Sequence, residues 1–201
     1  MKKTVIFGGT FNPIHYAHLE IIRNVLSLPT TEKVVVMPTS IPPHKISDNL
    51  ACDADRFEMC KVALQSIQNV EVSDEELLRG GRSYTYDTLR HLRNKNPHTT
   101  FALVCGGDMI VTFKEWYKYK EILKTTEIIA IRRVGIDDNE FDEAVKDLIN
   151  EGAVINVLKN HVMGISSTEI RENIYNDEYL LKYLPKNVLE YIRDNDLYGD
   201  R

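Results

Sequence analysis

The sequence predicts an α/β protein: a Rossmann-like doubly wound parallel sheet with helices on both faces and a small helical C-terminal end. Three observations carry this. Short apolar, β-rich runs alternate with helical patterns along most of the 201 residues. Most of the runs are apolar at consecutive positions, as strands covered on both faces are. The first run stops at a glycine pair, Gly8-Gly9, at the edge where an open parallel sheet meets its ligand.

The elements follow in order. The first strand is read at Thr4–Phe7 and its helix at Tyr16–Leu26. A strand at Lys33–Met37 leads into a loop, residues 38–50, rich in turn formers. It is read as a mobile loop over a site rather than a domain boundary. The helix Ala54–Gln68 carries Phe57, Cys60, Ala63, Leu64 and Ile67 at helical spacing. Then come the strand Val70–Ser73 and helix Tyr84–Asn96, strand Phe101–Cys105 and helix Phe113–Leu123, strand Glu127–Ile131 and helix Glu140–Asn150, and the strand Val154–Leu158. Thr168–Ile174 and Pro185–Asp194 form the helical end, with Pro185 suited to a first turn and Gly199 past the last. Strand–helix alternation of this kind builds a parallel sheet through right-handed crossovers. With no repeat, low-complexity stretch or linker, residues 1–201 are read as a single domain.

Hydrophobic residues make up 43% and charged residues 27%, ordinary for a soluble globular chain. A net charge of −5 argues against a nucleic-acid footprint or an anionic membrane as partner, yet leaves room for a small phosphorylated substrate held by local cations. Cys52, Cys60 and Cys105 form no CxxC pair, which fits a reducing, cytoplasmic compartment. The start, MKKTVIFGG, has too short an apolar run for a signal peptide and is read as a buried strand. No segment approaches the length of a membrane span.

The chemistry concentrates first in FGGTFNPIHYAH, residues 7–18. Gly8 and Gly9 allow close backbone approach to a ligand, and conformations that a side chain forbids. The Thr10 and Phe11 amides are then free to face an anion, and Pro13 fixes a turn before a helix opens near His15 or Tyr16 with its positive end at the same place. His15 and His18 are three apart, so if both are helical they share one face. Four roles compete for them: zinc ligation, although there is no HExxH pattern and no third ligand nearby; general base; core or capping histidine; and phosphate recognition, which fits best beside a glycine turn and a helix start. The motif is neither a GxxxxGK[ST] loop nor a GxGxxG fingerprint.

The second concentration is MGISSTEIR, residues 163–171. Ser166 and Glu169 match a capping box that opens a helix. Ser167 and Thr168 place hydroxyls at its first turn, and Arg171 is suited to bidentate phosphate contacts. Two anion sites of this kind, far apart in sequence, suit a polyphosphate that bridges them.

Together, G-G-T-F-x-P-x-H-x-x-H and I-S-S-T-x-x-R resemble the nucleotidylyltransferase superfamily of HxGH type, the adenylyl- and cytidylyltransferases, with Ala17 where that family has glycine. Pro42-Pro-His-Lys45, Ser83-Tyr-Thr-Tyr-Asp-Thr-Leu89, Gly106-Gly-Asp-Met109 and Phe113-Lys-Glu-Trp-Tyr117 narrow the resemblance to the bacterial nicotinate-mononucleotide adenylyltransferases, from Phe7 to Tyr198. The resemblance implies adenylyl transfer from ATP to nicotinate mononucleotide in NAD biosynthesis, by direct in-line attack with no covalent enzyme intermediate.

It also implies roles for particular residues. His15, His18 and Arg171 are catalytic, stabilising charge at the reacting phosphates. Ser166, Ser167 and Arg171 hold the departing pyrophosphate, the backbone of Gly8, Gly9, Thr10 and Phe11 cradles the phosphates, and Lys45 adds a cation. Gly106 and Asp108 meet a ribose hydroxyl or the water shell of a metal. Thr85 recognises the nicotinate carboxylate, Trp116 and Tyr117 flank the ring, and one of Arg132 and Arg133, with Arg133 the candidate, contacts the nucleotide. Mg2+ enters with ATP, and no protein metal ligand is assigned. The substrates are the small molecules ATP and nicotinate mononucleotide, and homo-oligomerisation stays open. The rivals are a phosphopantetheine adenylyltransferase, a glycerol-phosphate-type cytidylyltransferase and a catalytically silent nucleotide-binding sensor on the same fold.

Overall fold

Alternate residues of the central strands feed two separate cores, and this periodicity of two is what builds a layered protein. The computed structural model describes residues 2–40, 49–132, 136–158 and 162–199. Among these, six strands form one all-parallel sheet: β1 (Lys3–Gly9), β2 (Thr31–Pro38), β3 (Val70–Val72), β4 (Phe101–Gly106), β5 (Glu127–Ile131) and β6 (Ile155–Leu158). On one face Val5, Phe7, Val34, Val36, Ala102, Val104, Ile129 and Ile131 join a single core. On the other, Ile6, Val35, Met37, Leu103, Cys105, Ile128 and Ala130 join a second.

Ten α-helices cover these faces among the described residues: α1 (Tyr16–Leu26), α2 (Asp53–Leu64), α3 (Glu75–Arg79), α4 (Thr85–Lys95), α5 (Gly107–Val111), α6 (Tyr119–Thr125), α7 (Asp138–Asn150), α8 (Ser167–Glu172), α9 (Asp177–Tyr183) and α10 (Lys186–Asp194). Helices α1 and α2 pack on the first core, together with Ile170, Leu180, Val188 and Ile192 from the C-terminal helices. Leu89 and Leu92 of α4, Ile122 and Leu123 of α6, and Phe141, Val145 and Leu148 of α7 fill the second.

The strand order is β3-β2-β1-β4-β5-β6, so β1 is central and the winding reverses between β1 and β4. In such a sheet the crevice at the carboxyl ends of the two switch strands is the place for a ligand. Here it is bordered by Gly9 at the end of β1 and Gly106 at the end of β4.

The predicted strands lie where the structure has them, and the helices differ in instructive ways. The expected helix Phe113–Leu123 is broken: a 3-10 turn at Phe113–Glu115, an extended Trp116, and Lys118 at φ 53° precede α6. Trp116 leaves the helical path and stacks on Phe113, with ring centroids 4.7 Å apart. Helix α2 stops at Leu64, short of the expected Gln68. The short helices α3, α5 and α9 were not predicted at all.

Phe141 is fully buried against the Gly107 turn and roofed by the Arg132 guanidinium 4.7 Å from its ring centre. Phe141→Ala is expected to cost about 3–5 kcal/mol of stability, read as a lower urea midpoint.

Candidate active site

The loop between β1 and α1 is held in a conformation that its residues would not choose alone. Phe11 sits at φ 48°, and its ring is buried edge-on to Phe7 at 5.4 Å. A non-glycine residue in the left-handed region persists only where its surroundings over-determine it. The glycines were expected to take such conformations, but neither has a positive φ. Gly9 is needed for space instead, because a Cβ there would stand 3.0 Å from the Phe11 ring. At Gly8 a Cβ would meet nothing within 4 Å, so that face of the strand end is open.

Helix α1 begins at Tyr16 with His15 as its N-cap. The two histidine rings stack with centroids 3.7 Å apart, and Phe11 packs edge-on against His18 at 5.0 Å. His15 is 1% exposed, whereas His18 is half-buried at the edge of the site. The His15 backbone N–H donates to Nδ1 of His18 at 3.2 Å. A neutral imidazole that accepts at Nδ1 carries its proton on Nε2, which makes Nε2 a donor. Ala17, off the family pattern, has its methyl in the core beneath α1 and meets no strain there.

The second motif docks on this loop. Arg171 Nη1 donates to the Asn12 carbonyl at 2.9 Å and the Ser167 hydroxyl donates to the Pro13 carbonyl at 3.0 Å, across 154 residues of sequence. Ser166 forms the predicted capping box: its hydroxyl donates to Glu169 at 2.7 Å and accepts from the Glu169 N–H at 3.2 Å. The GGTF turn, His15, His18, Ser166, Ser167 and Arg171 therefore meet in one place.

Residues that the motif reading did not single out complete the arrangement. The Asn12 side chain donates to the Asn49 carbonyl at 2.9 Å, and accepts from the Ala51 N–H at 3.0 Å and the Tyr198 hydroxyl at 2.8 Å. Burial pushes the Tyr198 phenol far up, so it remains a donor at any working pH. Arg56 is 0% exposed and donates to the Thr10 carbonyl at 2.7 Å and the Ala51 carbonyl at 3.1 Å. An arginine within a helix reads as solvated, and the i,i+3 spacing of Asp53 and Arg56 is the only signal in the sequence that could have pointed to it.

The rest of the expected site lies along the same carboxyl edge. Gly106 caps α5 and Asp108 falls in its first turn. Thr85 is the first residue of α4, where amide N–H groups lack intrahelical partners. Its neighbours Tyr84 and Tyr86 touch Tyr117 at centroid distances of 5.2 and 5.9 Å. Thr85 and Tyr117 are thus brought together, whereas Trp116 gives one ring face to Phe113. Arg132 pairs with Asp138 at 2.9 Å and with Asp142, both on α7. Lys45 and Arg133 lie outside the described residues.

Residues 6–173 match the cytidylyltransferase-like family. The chain belongs to it. Within that family, the chain is 35% identical to a probable nicotinate-nucleotide adenylyltransferase of Listeria monocytogenes serotype 4b (strain F2365), over 99% of this chain and 98% of the relative. It is 36% identical to one from Carboxydothermus hydrogenoformans, over 98% of each. Among solved structures, Plasmodium falciparum nicotinic acid mononucleotide adenylyltransferase complexed with NaAD superposes with a TM-score of 0.80, covering 100% of this chain and 99% of that one at 20% identity. That likeness supports the cytidylyltransferase-like fold.

The start of α4 in this family member is braced by a buried carboxyl. The Thr88 hydroxyl donates to Glu76 at 2.5 Å, and Arg79 stands 3.8 Å away. Burial holds the Glu76 carboxyl above its ordinary 4.5, against the pull of Thr88, Ser83 and Arg79. A carboxyl raised in the folded state contributes stability that is present below its unfolded pKa and lost as pH rises through the folded value. Glu76→Gln is expected to abolish that loss, so its stability advantage over the wild type should grow from pH 4.5 toward neutrality and then level off in urea titrations at a series of pH values.

Proposed function

We infer that the chain transfers the adenylyl group of ATP to nicotinate mononucleotide, giving nicotinate adenine dinucleotide and pyrophosphate, in NAD biosynthesis. The observation that carries this is the docking of the GISSTEIR helix on the histidine loop through Arg171–Asn12 and Ser167–Pro13. It supports this reading because the two motifs read as anion sites then lie side by side, as a triphosphate needs. Relatives that match over nearly the full chain bear the name nicotinate-nucleotide adenylyltransferase.

In this reading the phosphate of nicotinate mononucleotide attacks the α-phosphorus of ATP in line and pyrophosphate leaves. The nucleophile is already ionised, so the protein's work is positioning and charge stabilisation. Nε2 of His18 donates to the reacting phosphate, because its partner nitrogen is occupied by the His15 N–H. His15 stacks on that ring and holds its plane. Arg171 donates from Nη1 to the Asn12 carbonyl and from Nη2 to the Thr168 hydroxyl at 3.4 Å, and its guanidinium serves the β- and γ-phosphates together with the Ser166 and Ser167 end of α8. The open face over Gly8 admits the phosphates close to the backbone.

Use of a divalent metal with ATP is general in nucleotidyltransferases. We assign Mg2+, which neutralises phosphate charge and retains several waters when bound to a nucleotide. No cluster of three His, Cys, Asp or Glu capable of holding a metal occurs among the described residues. In this reading the ion would be carried by the nucleotide, and Asp108, in the first turn of α5, would face its water shell or a ribose hydroxyl. Thr85 and the first amides of α4 receive the nicotinate carboxylate, with Tyr117 and Trp116 beside the ring and Lys45 and Arg133 as supplementary cations. No helix among the described residues is long and apolar enough to cross a membrane, and we place the reaction in the cytoplasm.

A panel of ATP with nicotinate mononucleotide, nicotinamide mononucleotide or phosphopantetheine tests the assignment. Pyrophosphate release is expected to be fastest with nicotinate mononucleotide; preference for phosphopantetheine, or no release with any acceptor, overturns it. His18→Ala is expected to lower kcat by about 10²–10⁴-fold with an unchanged circular dichroism spectrum, and near-normal turnover would return this histidine to a packing role.

A further inference from the structure

We propose that Arg56 is a positioning residue for the phosphate loop: by holding the Thr10 carbonyl it turns the Thr10–Phe11 peptide so that the Phe11 N–H serves the ATP phosphates. The proposal rests on the reading of that loop as the phosphate site.

Arg56 heads the fully buried side chains in size, and its guanidinium is 0% exposed. A buried guanidinium is tolerated only where its N–H groups are met. Nε donates to the Ala51 carbonyl at 3.1 Å, Nη1 to the Thr10 carbonyl at 2.7 Å, and Nη2 to the Ser40 carbonyl at 3.3 Å and to the Asp53 carboxylate. Asp53 in turn accepts from the Ser40 hydroxyl at 2.7 Å. One side chain thus ties the loop after β1 to Ser40, just past β2, and to the start of α2.

The bond to Thr10 is the one with a catalytic consequence. In a trans peptide the C=O and N–H point to opposite sides. Drawing the Thr10 oxygen toward the buried guanidinium sends the Phe11 N–H away from it, out of the core. The positive φ of Phe11 then turns the chain immediately after this peptide. Neighbouring carbonyls are drawn off in the same manner: Gly9 accepts from the Thr39 N–H at 2.9 Å, Asn12 from Arg171 and Pro13 from Ser167. Carbonyl oxygens left facing a triphosphate would repel it. Unlike Arg171 and Ser167, Arg56 belongs to neither recognised motif, and it is the fully buried one of the two guanidinium groups on this loop.

The test compares Arg56→Lys and Arg56→Gln with the wild type in steady-state kinetics and amide NMR, with inorganic pyrophosphate as the probe. The wild-type Phe11 amide resonance is expected to shift as pyrophosphate is added. In Arg56→Lys, which keeps the charge but not the fork, kcat should fall between about tenfold and a hundredfold while KM for nicotinate mononucleotide moves by less than about twofold, and the Phe11 response should shrink. A purely structural role predicts a lower Tm with kcat retained, or equal damage to both substrates. A folded Arg56→Lys with kcat near the wild-type value overturns the proposal, and so does a wild-type enzyme that turns over while its Phe11 amide ignores pyrophosphate. The latter measurement needs no variant, so it stands even where Arg56→Gln fails to fold. A wild-type chain that releases no pyrophosphate from any acceptor overturns the functional reading instead.

Discussion

Everything at the site depends on where the loop between β1 and α1 sends its carbonyl oxygens. A loop that cradles an anion must show amides and hide carbonyls, yet every peptide carries both. This chain resolves the conflict by bringing donors from remote segments: a strand-end amide from residue 39, a guanidinium from α2, and a hydroxyl and a second guanidinium from α8. The left-handed Phe11 is held within that set of bonds. The sheet supplies the location, because its switch point lies at Gly9, but the donors supply the polarity.

The same economy explains how a chain of net charge −5 can serve a polyphosphate. Its cations are placed, not abundant. Arg171 is anchored to the loop it serves, and Arg56 is compensated by Asp53. Arg132, by contrast, is bound to the carboxylates of α7 and to the Phe141 ring, where it helps close the second core. Position in the hydrogen-bond pattern, and not charge alone, separates these three arginines.

The sheet was legible because its strands are apolar at consecutive positions between turn formers, a signal that local sequence carries. The histidine loop and the α8 capping box were legible for a related reason: each motif is contiguous. Arg56, Asn12 and Tyr198 escaped because the bonds that define their roles include ones to partners 46, 159 and 186 residues away. The helices α3, α5 and α9 escaped because five to seven residues make too little periodic pattern to detect. The break before α6 was hidden by Trp116, whose stacking on Phe113 overrides a sequence otherwise compatible with helix. Gly8 and Gly9 were read as allowing close ligand approach and special conformations; neither has a positive φ, and Gly9 is needed for space against Phe11, whereas the Gly8 face is open.

Asn12 and Pro13 are made early in synthesis, yet their partners include residues 167, 171 and 198. A nascent chain that has completed β1, β2 and β4 can already pair the centre of its sheet while the loop at its edge lacks half its donors. Sheet and site are therefore finished at different moments.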